Sequence, residues 1–159
     1  MEAARGSEYG GRRQGAKEGA GRTLAQAFCL VTGLVLIAVG VLGFFFGGGA
    51  FTTGPGVSGE PFIVFEVNGW HNLVHLASGA FLLLMAAKPA TAITGALAFG
   101  AIYVVVTVWG FVDGNDIATI APVNAPDNFL HLALAVVAIL IGVSAGGLVG
   151  SARRSPEAA

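Results

Sequence analysis

Charged residues are scarce in this chain and are missing altogether from four long stretches. They make up 11% of the 159 residues, whereas soluble domains carry about 25%. None occurs within 23–59, 67–87, 89–112 or 128–152. Each stretch contains an apolar run, and an ionised side chain at the centre of a bilayer costs about 2.5–3.5 kcal/mol on insertion scales. The composition therefore argues against a soluble domain and predicts a membrane protein.

The chain also lacks the residue patterns of common enzymes and of nucleic-acid-binding proteins. Its single cysteine, Cys29, cannot form an internal disulfide and is expected to pack inside a helix. Haem-attachment motifs, His-Glu-x-x-His motifs, phosphate loops, nucleotide-binding glycine fingerprints and serine nucleophile elbows are all absent. We therefore expect a protein that is not an enzyme by itself and that binds no nucleic acid.

The chain is instead rich in apolar runs of a length that spans a bilayer as helices. They lie at 24–46, 70–87, 90–112 and 128–150, and a helix needs about 17–25 residues to cross. The link between the second and third runs is only Lys88-Pro89, which forces an antiparallel hairpin. We predict an all-α membrane protein, a four-transmembrane-helix bundle of two tandem helical hairpins over 23–150. The flanking segments 1–22 and 151–159 are predicted to be cytoplasmic tails, the first of them disordered.

The basic residues give the orientation of this bundle. All eight Lys and Arg lie before the first span, in the turn between the second and third, or after the fourth. The two opposite loops contain no basic residue but five acidic ones: Glu60, Glu66, Asp113, Asp116 and Asp127. By the positive-inside rule, both termini are cytoplasmic. We expect a multi-pass protein of a bacterial plasma membrane, in contact with lipid.

Two further features concern packing. Small residues recur at helical spacing in the first and fourth spans, where they allow close helix contact within one chain or between copies. They are Gly33, Gly40 and Gly47, and Ala135, Ala138, Gly142 and Ala145. Between the first two spans, the apolar segment 62–67 has two alternatives, lying along the membrane surface or packing over the bundle.

All three histidines lie near the outer ends of the second and fourth spans. The second begins His71-Asn72-Leu-Val-His75-Leu, and the fourth begins Asp127-Asn128-Phe-Leu-His131-Leu. The two strings align at an offset of 56 residues, which indicates an internal repeat of two similar hairpins. His75 and His131 should therefore lie at similar depth.

Polar residues share one face at the start of each of these two helices. Asn68, His71, Asn72 and His75 follow i, i+3, i+4, i+7 spacing, and Asn124, Asn128 and His131 do the same. Polar side chains in a bilayer turn toward protein or a water-filled cavity. The pattern predicts a polar pocket between the second and fourth spans that opens outward. Its residues include Asn68, Asn72, Asn128 and Asp127.

Three interpretations of this pocket compete. In the leading one the polar residues are structural: Asn68 and Asp127 cap the helices, while the others hydrogen-bond across the bundle. In the second, His75 and His131 bind haem iron, or His71, His75 and His131 bind a divalent metal. In the third, histidine titrates along a path for a small solute or proton.

The string Asn68-x-x-His71-Asn72-x-x-His75-Leu76-x-x-Gly79, followed by Asp127-Asn128-x-x-His131-Leu132, resembles a known family. It is the bacterial four-helix membrane-protein family catalogued as domain of unknown function 4383, and the resemblance covers residues 23–150. It implies a four-span inner-membrane protein and assigns no activity to any residue. The sequence thus favours a small structural or interaction subunit, with a homo-oligomer or another membrane protein as partner. A haem- or metal-binding electron-transfer protein is the alternative, and a small-solute or proton transporter is the second.

Overall fold

The computed structural model describes residues 22–114 and 116–152, with side chains as far as residue 146. The predicted tails, 1–22 and 151–159, lie outside the described residues except for Arg22, Ser151 and Ala152. Seven of the eight basic residues that predicted the orientation belong to these tails, and of those only Arg22 is described.

The described residues form four α-helices: α1 (Leu24–Phe46), α2 (Gly69–Met85), α3 (Pro89–Asp113) and α4 (Ala125–Ala152). The predicted boundary of α1 is confirmed, and α2 and α3 differ from their predicted runs by one or two residues. The start of α4 was predicted three residues too late, because Ala125 and Pro126 were read as loop although proline is well tolerated in a first helical turn.

Local capping explains where the helices begin and end. Thr23 and Gln26 form a capping box at the start of α1, which satisfies two backbone N–H groups that would otherwise lack a partner. The Asn68 side chain accepts a hydrogen bond from His71 N at the start of α2. Pro89 occupies the first turn of α3, and Gly114, with φ of 90°, ends that helix in the left-handed conformation.

Three of these helices are long and apolar enough to cross a membrane: α1, α3 and the portion Ala125–Gly146 of α4. Helix α2 has 17 residues and lies just below that length. The prediction of four helices is therefore confirmed, and three of the four predicted spans have the length and hydropathy to cross a membrane.

Two small β-hairpins precede α2 and α4, and the sequence-based prediction of an all-α chain missed both. Strand β1 (Glu60–Phe62) pairs antiparallel with β2 (Phe65–Val67), and β3 (Asp116–Ile117) pairs with β4 (Ala121–Pro122). The segment 62–67 therefore folds back over the helices, with Val67 buried and Ile63 exposed at the tip. Of the two alternatives for this segment, packing over the bundle is the one observed.

Helices α1 and α2 pack against each other, as do α3 and α4, so the bundle consists of two helical hairpins. Small residues allow the close contacts. A Cβ on Gly79 would lie 2.7 Å from the Gly33 carbonyl oxygen, and one on Gly100 would lie 3.1 Å from that of Ala135. The buried core runs between the hairpins and includes Cys29, Leu36, Leu82, Phe99, Tyr103, Ala135 and Ala138. The predicted small-residue surfaces thus serve packing within one chain.

Candidate functional site

The three histidines converge at one point near the starts of α2 and α4. Helix α2 contributes His71 and His75 from consecutive turns, and α4 contributes His131. Each offers a ring nitrogen such that the three atoms lie within 4.8 Å of one another. The His71 ring centroid is 4.6 Å from that of His75 and 6.1 Å from that of His131. The predicted histidine cluster is therefore brought together by the fold.

Backbone carbonyls of both β-hairpins hold the His71 ring. Its Nδ1 lies 3.1 Å from the Glu66 carbonyl oxygen and 2.9 Å from that of Pro122. Carbonyl oxygens only accept hydrogen bonds, so Nδ1 carries the proton and donates it. The lone pair of the neutral ring then resides on Nε2. Histidines that ligate metals usually have their other ring nitrogen fixed in this way.

The other two histidines have free hydrogen-bonding capacity. Within residues 22–114 and 116–146, neither the His75 nor the His131 side chain forms a hydrogen bond, and His131 Nδ1 is fully buried without a partner. A buried polar atom left unpaired costs about 1–3 kcal/mol. Tyr103 of α3 packs its ring edge-on against His131, with centroids 5.2 Å apart. The cluster thus contains unsatisfied imidazole nitrogen inside the bundle.

Asp127 accepts hydrogen bonds from two backbone N–H groups and is not the capping residue that the sequence predicted for α4. Its Oδ2 accepts hydrogen bonds from Asn124 N at 3.0 Å and from Glu66 N at 3.2 Å. The Asn124 side chain in turn accepts from Asp127 N at 3.1 Å. The reciprocal pair identifies Asn124 as the capping residue of α4, since the helix begins at Ala125. The matching cap predicted at Asn68 is confirmed.

The two hairpin loops exchange hydrogen bonds in a repeated pattern. Asn68 Nδ2 donates to the Ile120 carbonyl oxygen at 2.8 Å, and Asn124 Nδ2 donates to that of Val64 at 2.9 Å. Asn124 and Ile120 each lie 56 residues after their counterparts, Asn68 and Val64. At the same offset, His71 contacts the carbonyl of Pro122 while Asp127 contacts the N–H of Glu66. Each loop thereby supplies backbone partners to side chains of the other.

Asn72 and Asn128 were predicted to line the same pocket, but they lie apart from the histidines. The Oδ1 of Asn72 packs against Gly43 of α1, where a Cβ would overlap it, and the Oδ1 of Asn128 packs in the same way against Gly110 of α3. Asn72 Nδ2 donates to the Gly48 carbonyl oxygen at 3.0 Å. Both asparagines are fully buried. The polar residues predicted to share one face of each helix therefore have different contacts: the histidines lie close to one another, and the asparagines pack against a glycine of the adjacent helix.

Two cavities adjoin the histidines. The larger, of about 230 Å³, lies between α1 and α4 beneath the β1–β2 hairpin. Its lining is mostly apolar, with five residues that carry polar groups: Thr32, His75, Tyr103, Asp127 and His131. The smaller, of about 100 Å³, is lined by all three histidines together with Ser78. No sequence pattern pointed to Tyr103 or to the Glu66 and Pro122 carbonyls, because their roles depend on contacts between distant segments.

Comparison with known proteins adds a family but no activity. Residues 26–144 match the family model described as a domain of unknown function (DUF4383). No curated protein and no solved structure matches the chain.

Proposed function

Because the chain belongs to the family of the domain of unknown function DUF4383, which brings no activity with it, we propose a function from the histidine cluster alone. We propose that this is a membrane protein that binds one divalent transition-metal ion between His71, His75 and His131. The observation that carries the proposal is the convergence of three imidazoles whose ring nitrogens lie within 4.8 Å of one another.

The donor set suits such an ion. Imidazole is a preferred ligand of Zn²⁺, Cu²⁺, Ni²⁺ and Fe²⁺. Zinc–nitrogen distances are about 2.0–2.1 Å, so two ligand nitrogens on one ion are at most about 4.2 Å apart. The observed limit of 4.8 Å requires only small side-chain shifts to reach that range. His71 is already oriented, with its protonated Nδ1 donating to Glu66 and Pro122. Three protein ligands leave one coordination position open.

A single ion is favoured over haem, the other cofactor considered for His75 and His131. In a haem with two axial histidines, the porphyrin lies between the two ligand nitrogens. The nitrogen of His71 is within 4.8 Å of both others, so it falls in the space that the porphyrin ring would occupy. A haem would also need a slot wider than the cavities of about 230 and 100 Å³ beside the cluster.

The proposed setting is a bacterial plasma membrane crossed four times. Three helices have the length and hydropathy of spans. The 17 residues of α2 reach about 25 Å at a rise of about 1.5 Å each, near the lower limit for a crossing. The confinement of all eight Lys and Arg to one side supports cytoplasmic termini. In this topology the histidines lie near the outer surface, below the two β-hairpins.

Cobalt binding tests the metal proposal. The purified chain, stripped with a chelator, is titrated with Co²⁺, whose visible absorption reports tetrahedral coordination, and Zn²⁺ is then used to displace it. We expect one Co²⁺ per chain. His75→Ala and His131→Ala should each weaken binding by more than the roughly 10–100-fold cost of losing an outer-shell partner. Ser78→Ala, which alters a neighbouring non-ligand on the same helix, should leave binding unchanged.

The same preparation addresses the competing interpretations. Spectra of the oxidised and dithionite-reduced protein reveal a haem if one is bound. If the wild-type protein retains no metal, or if the two alanine variants bind Co²⁺ as tightly as wild type, the metal proposal is wrong. The leading interpretation from sequence, a structural or interaction subunit, is then the better one, and the exchanged loop hydrogen bonds favour it specifically. The third interpretation, a path for a small solute or proton, stays a prediction, and nothing in the described part of the chain supports it.

A further inference from the structure

The larger cavity is lined in part by residues exposed on the lateral surface of the helices, and this side is its mouth. Its walls are α1 and α4, which contact each other little compared with their own hairpin partners. The β1–β2 hairpin closes its outer end through Phe62, Phe65 and Val67. Val35 and Leu130 line it and are themselves exposed on the outside of the bundle. In the proposed membrane topology, this mouth faces lipid acyl chains in the outer half of the bilayer.

Four of the five polar side chains that line the cavity belong to α2, α3 and α4 and form its inner wall, and the fifth is Thr32 of α1. His131 is only 6% exposed, lines the cavity and has its Nδ1 unpaired. His75 lies beside it, without a hydrogen bond among the described residues. Asp127 uses Oδ2 for two backbone N–H groups, which leaves Oδ1 free within the described part of the chain. A neutral imidazole has one donor and one acceptor nitrogen and a carboxylate oxygen accepts, so the wall fits a hydroxyl group, and the carboxylate charge disfavours an anionic head group.

Size and lining narrow the ligand further. A volume of about 230 Å³ is smaller than the 300–1,000 Å³ typical of pockets that enclose a whole drug-sized molecule. The cavity therefore holds one ring-sized head group while the rest of the ligand stays outside the mouth. Phe62, Phe65 and Tyr103 offer aromatic surface to such a ring.

We propose that the cavity between α1 and α4 binds the head group of a membrane-dissolved phenol or quinol, a hydroxylated aromatic ring on an apolar tail. The ring enters from the bilayer between Val35 and Leu130, and its hydroxyl donates to Asp127 Oδ1, which is not one of the proposed metal ligands. The tail remains among the lipids. This inference rests on the membrane placement under the proposed function and does not require the metal.

Binding of para-decylphenol to the full chain in lipid nanodiscs tests the proposal, with empty nanodiscs as the measure of bulk partition. We expect saturable binding of one molecule per chain. Its methyl ether, which cannot donate a hydrogen bond, should bind about tenfold more weakly. Val35→Trp fills the mouth and should abolish saturable binding. Leu34→Trp, at a neighbouring position of similar exposure (59% against 54%) that does not line the cavity, should leave it intact.

The outcomes separate this proposal from the metal site. Val35→Trp leaves all three histidines in place, so Co²⁺ binding should persist while phenol binding is lost. Retention no greater than in empty nanodiscs, or equal binding to Val35→Trp and wild type, overturns the proposal even if Co²⁺ binds. If Val35→Trp instead changes the mass of the particle and phenol does not bind, the cavity is a contact between copies and the proposal is also overturned.

Discussion

Replacement of Gly43 by alanine is the sharpest test of how the buried asparagines are held. A Cβ at this position would overlap the Oδ1 of Asn72. Asn72 is completely buried and its Nδ2 is held by the Gly48 carbonyl at 3.0 Å, so the side chain cannot swing aside without losing that bond. The Oδ1 has no conventional partner among the described residues, and its position against the glycine Cα fits a weak Cα–H···O contact.

The expected cost follows from three contributions. Overpacking in a close-packed interior costs about 1–3 kcal/mol, and loss of the Asn72–Gly48 hydrogen bond costs about 0.6 kcal/mol, the average measured within membranes. The better helix propensity of alanine returns about 0.8–1 kcal/mol. Gly43→Ala should therefore lower the free energy of unfolding by about 1–3 kcal/mol. Gly146→Ala is the matched control, because among the residues whose side chains are described its Cβ would meet only Ile93, at 3.8 Å, and it should be neutral or stabilising.

Equilibrium unfolding with SDS in mixed micelles, followed by far-UV circular dichroism, measures these values. The double variant Gly43→Ala/Asn72→Ala removes the obstructing side chain, and we expect a favourable coupling of about 1–2 kcal/mol between the two substitutions. If Gly43→Ala is as stable as Gly146→Ala, or if the two substitutions are additive, the proposed contact between Asn72 and Gly43 is wrong.

Two further predictions concern the loops. Ile63 is 82% exposed and has φ of 63°. This conformation costs a β-branched residue about 1–2 kcal/mol, whereas asparagine tolerates it. Ile63→Asn should therefore raise the free energy of unfolding by about 1 kcal/mol in the same assay, and an unchanged or lower value contradicts this prediction. Asn68→Ala and Asn124→Ala each remove a helix cap and a bond to the opposite loop, so each should cost about 1–2 kcal/mol. Thr94→Ala, which removes a bond of an exposed hydroxyl within one helix, is their control and should change stability by less than about 0.5 kcal/mol; an equal loss in all three contradicts the capping roles.

The helices were predictable because charged residues are absent from the apolar runs and therefore mark where each run begins and ends. The cap predicted at Asn68 is confirmed, and the start of α4 was missed because Asn124, rather than Asp127, caps that helix. The β-hairpins were not predictable, because their strands are two or three residues long and lie in loops rich in glycine and proline. Strands this short are stabilised by contacts with distant segments, which no local pattern reports.

The candidate site was predictable in its residues but not in its arrangement. The spacing of His71, His75 and His131 placed them at one end of two helices, and the structure brings them together. Spacing alone also placed Asn72 and Asn128 there, but each faces a glycine of its hairpin partner. The polar residues on one face of a helix can contact two neighbouring helices, and helical periodicity does not show which of these residues contacts which helix.

The exchange of hydrogen bonds between the two loops has a consequence for the order in which the protein matures. A chain is synthesised from its N-terminus, so the residues of α1 and α2 are made before residues 120–124. Until then, Asn68 lacks the Ile120 carbonyl and His71 lacks that of Pro122. The polar end of the first hairpin is therefore incomplete until the second hairpin has been made. A chain truncated before residue 120 would leave both side chains without these partners, so completion of the first hairpin depends on the last quarter of the sequence.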